Sequence, residues 1–207
     1  MAKKLIITIA RQYGSGGREI GERVAEILDI PMYDKELIKD AAAKGSLNEE
    51  VLRTTDESAA NSLLYTLAMG SNVLGATMQF GYKMPLNDKL FILQSEVIRE
   101  YAAAGSCVII GRCGNYILKD DPDVIKLYIY SDLETSLDRV TELYGMKPSE
   151  AKRTIEKIDK SRAAYYEYYT GEDWHDLSNY DLCVNTSGIS FENAADIILA
   201  YIEKIKN

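Results

Sequence analysis

Leu5-Ile6-Ile7-Thr8-Ile9-Ala10-Arg11-Gln12-Tyr13-Gly14-Ser15-Gly16-Gly17-Arg18-Glu19-Ile20-Gly21 runs an apolar strand into a glycine-rich turn that opens a helix. That is the layout of a phosphate-binding loop. Gly14, Gly16 and Gly17 let the backbone curl so that successive N–H groups point inward, and the helix N-terminus behind them adds partial positive charge. The loop lacks the Gly-Lys-Ser/Thr ending whose lysine reaches the terminal phosphates and whose hydroxyl holds magnesium. Aligned by the glycines, Gly17-Arg18 stands where that Gly-Lys would be; counted back without gaps from Val24-Ala25-Glu26-Ile27-Leu28, Gly17 itself takes the lysine position. Both registers remain open on the sequence.

Outward from the loop, Ile20, Val24, Ile27 and Leu28 recur with helical spacing, and Ile30-Pro31-Met32-Tyr33 reads as a short strand entering Asp34. The result is a β-α-β unit with parallel strands. From Asp34 to about Leu74 the apolar residues Leu37, Ile38, Leu47, Val51, Leu52, Leu63, Leu64 and Leu67 favour helices, so residues from about 35 to about 88 are expected as a helical insertion. Gly81, Pro85 and Asn87 break the pattern before Leu90, Leu93, Val97, Ile98 and Tyr101 resume it in a helix ending near Gly105.

Cys107-Val108-Ile109-Ile110 is a continuous apolar run of the kind buried on both sheet faces, and Gly111-Arg112 follows it. Ile125–Tyr130 is a fourth strand leading into Ser131-Asp132-Leu133-Glu134, a capping box for a helix ending at Gly145. Pro148 fits the first turn of a helix reaching about Tyr169; Tyr180–Asn185 is the last strand, and a helix over about Ser190–Lys206 closes the pattern. Alternating strands and helices without repeats predict an open, mostly parallel sheet covered on both faces, within a single domain over 1–207.

The composition narrows the function. With 24 Lys and Arg against 32 Asp and Glu, the net charge of −8 argues against a general nucleic-acid binder. A few local cations still suffice for a small anionic ligand. No apolar run is long enough to cross a bilayer, and the run after Lys3 and Lys4 lacks the features of a secretory signal, so no membrane partner and a cytoplasmic location are expected. Cys107, Cys113 and Cys183 lack metal spacing and read as reduced thiols, while His175, the one histidine, makes a histidine-based triad a poor choice. Chemistry must lean on Arg, Lys, Asp and Glu.

In a parallel sheet, ligands bind beyond the C-terminal strand ends. Those exits carry Arg11 with the glycine loop, Asp34-Lys35-Glu36, Gly111-Arg112 and Asn185-Thr186-Ser187. This set suits a nucleotide and its metal. Asp34 is equally suited to capping the following helix or to a substrate or magnesium role. Farther along, Arg153, Lys157 and Lys160 share one helical face; Arg153 and Lys157 read as solvated surface, and the cluster Tyr165, Tyr166, Tyr168 and Tyr169 as packing. Asp181 reads as a structural residue at a strand edge.

The opening loop, Ile30–Ile38 and Val108-Ile109-Ile110-Gly111-Arg112 together resemble the cytidylate-kinase-like family of P-loop proteins, and the likeness extends to Asp159-Lys160-Ser161-Arg162. The resemblance implies a P-loop-type five-stranded parallel sheet, a helical monophosphate-binding insertion and a basic helical lid, here about 146–170. It also implies an ATP-dependent kinase using Mg2+, with cytidylate the nominal acceptor. Arg11, Gly14, Ser15, Gly16, Gly17, Arg18 and Glu19 would hold the donor, Asp34 and Arg112 the acceptor; Arg18, Lys160 and Arg162 would neutralise developing charge. The missing lysine admits two other readings: a nucleotide-binding sensor that has lost transfer, or a kinase for another small anionic metabolite. Base specificity and oligomeric state are not readable.

Overall fold

The computed structural model describes residues 4–45 and 86–206. Five strands, β1 (Ile6–Arg11), β2 (Met32–Tyr33), β3 (Cys107–Ile110), β4 (Val124–Tyr130) and β5 (Leu182–Asn185), form one parallel sheet in the order β2-β3-β1-β4-β5. The helices in chain order are α1 (Gly17–Leu28), α2 (Glu36–Lys44), α3 (Leu86–Ala104), α4 (Gly114–Ile117), α5 (Leu133–Glu142), α6 (Pro148–Thr170) and α7 (Phe191–Lys206). The part of the chain up to Asp34 forms one compact unit with the part from Ile98 onward, and Lys35–Val97 forms a second.

In the first unit β1 is central, and Ile6, Ile7, Thr8 and Ile9 are all buried, as the unbroken apolar run requires of a strand covered on both faces. Ile7 and Ile9 join Ile20 and Val24 of α1, Val108 and Ile110 of β3, Leu127 and Ile129 of β4, and Ala195 and Ile198 of α7 in one apolar cluster. On α6, Ala151 and Ile155 pack with Val140 of α5 against Tyr13 and Met146. In the second unit, Leu37, Ile38, Ala41 and Ala42 make the buried stripe of α2.

The expected strands are present: pairing in the second begins only at Met32 and in the fifth at Leu182, while the fourth starts one residue early at Val124 and the first runs on to Arg11. Asn87, read as a breaker, lies inside α3. The capping box is corrected. Asp132, not Ser131, is the N-cap of α5, its carboxylate accepting the Thr135 N–H at 2.7 Å, because the Ser131 hydroxyl is already bonded to that of Ser136 at 2.6 Å. That helix ends at Glu142, short of Gly145. Leu47, Val51, Leu52, Leu63, Leu64, Leu67, Gly75, Gly81 and Pro85, on which most of the expected insertion rests, lie outside the described residues.

Candidate functional site

Strand register assembles the site. Ile9 pairs with Ile110, Tyr33 with Ile109 and Arg11 with Ile129, so the exits of β1, β2 and β3 end at one level of the sheet. There the chain leaves β1 and β3 toward opposite sides of the sheet, the crevice where parallel sheets take ligands. Arg11, Asp34, Gly111 and Arg112 are brought together at that level.

The glycine loop has the geometry expected of it. Gly14 and Gly16 adopt φ of +80° and +77°, a region that L side chains avoid, and Gly16 starts α1 without any side-chain cap. A Cβ on Gly14 would meet the Ser136 carbonyl oxygen at 2.8 Å, and one on Gly16 would overlap the Phe191 ring. The Gln12 N–H donates to the Ile129 carbonyl and the Tyr13 N–H to Asp159 Oδ1 at 2.8 Å. No acceptor among the described residues takes the N–H groups of Gly14, Gly16, Gly17, Arg18 or Glu19. A curled run of free donors at a helix N-terminus is an anion-binding surface.

Three guanidinium groups surround it. Arg162 of α6 donates from Nη1 to the Arg11 carbonyl at 2.9 Å, lies 3.5 Å from Asp159 Oδ1 and sits over the Tyr13 ring. Arg11 Nη2 is 3.9 Å from Asp34 Oδ1. Arg112, in the left-handed conformation at φ +57°, has no hydrogen bond or ion pair among the described residues. Burial, then repulsion from Arg162 and Arg112, holds the Arg11 guanidinium below its usual range, with Asp34 and Asp159 opposing. Burial does the same to Arg162, eased by Asp159 and reinforced by Arg112. Guanidinium groups nevertheless stay protonated at neutral pH. The crowding is the kind that an oxyanion relieves.

The other expected residues fall as follows. Arg18 turns from the loop, donating from Nε to Asp34 Oδ2 at 3.1 Å and from Nη1 to Glu22 at 3.3 Å. Asp34 thus holds two arginines and does not cap α2, whose N-cap is Lys35. Glu19 Oε1 accepts the Tyr144 hydroxyl at 2.8 Å, and its Oε2 is buried without a partner among the described residues. The Ser15 hydroxyl donates to the Gln12 carbonyl at 2.8 Å. Lys160, with Arg153 and Lys157, is exposed on α6 and meets no acceptor among the described residues. Tyr165 and Tyr168 both pack edge-on against Tyr169, and Tyr166 is buried, accepting from Asn115 Nδ2 at 2.9 Å. Asp181 accepts the Lys126 N–H at 2.8 Å, as suits a structural role.

Two contributors were not singled out from the sequence. Asp159 links α6 to the loop through the Tyr13 N–H. Arg139 of α5 donates to the carbonyls of Ser15, Thr186 and Ile189 and to the Thr186 hydroxyl. Their partners are far away in sequence, where spacing carries no signal.

Comparison with known proteins gives the family and the fold. The model of the cytidylate kinase-like family matches residues 6–188. A cytidylate kinase of Methanopyrus kandleri is 30% identical over 115 residues, covering 52% of this chain and 60% of that relative, which is less than two thirds of its length. A cytidylate kinase of Pyrobaculum aerophilum is 26% identical over 199 residues, covering 95% of this chain and 92% of that relative. Among solved structures, an uncharacterized protein from Eubacterium ventriosum has a TM-score of 0.70 at 29% identity, covering 97% of this chain and 99% of that one. The shikimate kinase of Acinetobacter baumannii, solved with shikimate, has a TM-score of 0.52 at 14% identity, covering 99% and 96%, a likeness of fold alone. Among the described residues no helix is long and apolar enough to cross a membrane.

Proposed function

This chain belongs to the cytidylate kinase-like family, and from that premise we propose that it transfers the γ-phosphoryl group of ATP to a nucleoside monophosphate, with cytidylate the first acceptor to test. The observation that carries this reading is the convergence of loop N–H groups, unpartnered among the described residues, with Arg11 and Arg112 at the strand exits and Arg162 of α6 bonded to the Arg11 carbonyl.

In this reading the amides of Gly14 to Glu19 hold the donor phosphates. Arg112, with no hydrogen bond or ion pair among the described residues, takes the acceptor phosphate. An oxygen of that phosphate attacks the γ-phosphorus, the bond to the β,γ-bridging oxygen breaks, and ADP leaves with the electron pair. Arg11 and Arg162 neutralise charge on the transferring oxygens, the main task a protein has in phosphoryl transfer. Lys160 lies on the exposed face of α6 with Arg153 and Lys157, so α6 would act as the lid over the donor through Arg162. Asp34 orients Arg11 and Arg18.

Magnesium, when bound with the donor, supplies further neutralisation of its phosphates. The residues present fit it modestly, since the buried, unpartnered Oε2 of Glu19 is an oxygen donor of the type this ion takes while keeping several waters.

The test is a panel of nucleoside monophosphates incubated with ATP and Mg2+, with products resolved by chromatography. A diphosphate product is expected, cytidylate giving the highest kcat/KM; no product with any acceptor contradicts the proposal. Gly17 in place of a lysine favours a second reading, a nucleotide-binding protein without transfer. Calorimetric affinity for ATP alongside an empty panel is its expected signature.

A further inference from the structure

The glycine at position 17 and the arginine at position 11 explain each other. Helix α1 begins at Gly17, directly after Gly16. Placed without gaps on that helix start, the pattern G-x-x-x-x-G-K-[ST] sets its second glycine on Gly16, its lysine on Gly17 and its first glycine on Arg11. Arg18 stands at the Ser/Thr position, and the other two of the three departures are reciprocal: glycine replaces lysine at one position, and a cation replaces glycine at the other.

They also touch. A Cβ built on Gly17 would lie 2.5 Å from the Cβ of Arg11 and 3.0 Å from its Cγ. Arg11 is held in register against Ile129 of β4, and a Cβ does not move with the side-chain rotamer, so no rotamer change relieves that contact. Side chains at 11 and 17 exclude one another. The Arg11 stem crosses the ground from which a lysine at 17 would rise, and its guanidinium reaches the β3 exit, where a Cβ on Gly111 would overlap Nη1. Arg18, the alternative cation, is committed to Asp34 and Glu22 and is 47% exposed, whereas the Arg11 side chain is 20% exposed.

We infer that Arg11 and Gly17 have exchanged parts, so that a guanidinium delivered from the end of β1 does the work of the phosphate-loop lysine. The inference rests on the reading that phosphates occupy this loop. It gives that site a planar fork able to grip two phosphate oxygens in place of a mobile ammonium. Asp34, shared with Arg18, leaves Arg11 charge to spare for a ligand.

The experiment compares wild type, R11G, G17K and R11G/G17K by thermal melting and by calorimetric titration with ATP and with inorganic tripolyphosphate. R11G is expected to fold and to lose roughly 10- to 100-fold in affinity for both ligands, the worth of a charge-assisted contact. G17K is expected to melt well below wild type or not to fold. R11G/G17K is expected to fold and to recover most of the affinity that R11G loses. R11G binding as tightly as wild type overturns the inference. So does a double variant that binds no better than R11G, or one that does not fold.

The two readings fail separately. If tripolyphosphate affinity follows the exchange while no acceptor is phosphorylated, the kinase reading falls and the exchange stands. If phosphoryl transfer proceeds while tripolyphosphate affinity ignores positions 11 and 17, the exchange falls and the kinase reading stands.

Discussion

At Asp159 a single side chain carries both loop geometry and a titration. Its carboxylate is 17% exposed, accepts the Tyr13 N–H at 2.8 Å and faces Arg162 at 3.5 Å. Burial raises its pKa to about 6, against the lowering effects of Arg162 and the Tyr13 N–H. The folded value stands above the ~3.9 of an unfolded aspartate, so the native state holds this proton more tightly. The stability it contributes is fully present below about pH 4 and is lost as pH rises through about 6. Between those limits the stability of D159N relative to wild type should therefore rise by about 2–3 kcal/mol and then level off. Urea unfolding of both proteins across that range measures it, and a difference independent of pH contradicts the assignment. Arg11 and Arg112 were legible as candidates because a charge after a buried apolar run is conspicuous. Asp159, one charge among several in Glu156-Lys157-Ile158-Asp159-Lys160, was not.

Among the elements, the glycine loop is held from behind by α5 and the β5 exit. Arg139 donates from Nη1 to the Ser15 carbonyl at 3.0 Å and to Thr186 Oγ1 at 2.8 Å, and from Nη2 to the carbonyls of Thr186 at 2.9 Å and Ile189 at 3.3 Å. The buried Thr186 hydroxyl donates to the same Ser15 carbonyl at 2.8 Å. With the Ser15 carbonyl drawn backward, the Gly16 N–H of the same planar peptide faces the other way. R139A strands several of these acceptors and should cost about 2–3 kcal/mol in stability. It should also speed amide exchange at Ser15 and Ile20, whose N–H groups bond the Gln12 and Gly16 carbonyls; a loss below about 0.5 kcal/mol with unchanged exchange contradicts the clamp. Strand positions were readable because runs such as Cys107–Ile110 are apolar throughout, and α6 because Pro148 suits a first turn. The clamp was not. Arg139 and Ser15 are 124 residues apart, and nothing local in either distinguishes it from a surface arginine.

Over the whole molecule, a net charge of −8 coexists with a cationic crevice built by Arg11, Arg112 and Arg162. The concentration of like charge at one sheet edge is costly without an anion, and the surrounding acidity disfavours extended polyanions. A compact phosphate ester fits both conditions. The alternation of strands and helices made the sheet legible from the sequence; the strand order did not follow from it, because β3 inserts between β1 and β2 only through long-range pairing. The central claim, transfer of a phosphoryl group in this crevice, is tested most directly by following the γ-phosphate of ATP by phosphorus NMR with Mg2+ and an equimolar mixture of nucleoside monophosphates. Its signal is expected to give way to the β-phosphate signals of ADP and of a second nucleoside diphosphate, growing together. An ATP spectrum that stays unchanged, or inorganic phosphate as the only other product beside ADP, would contradict it.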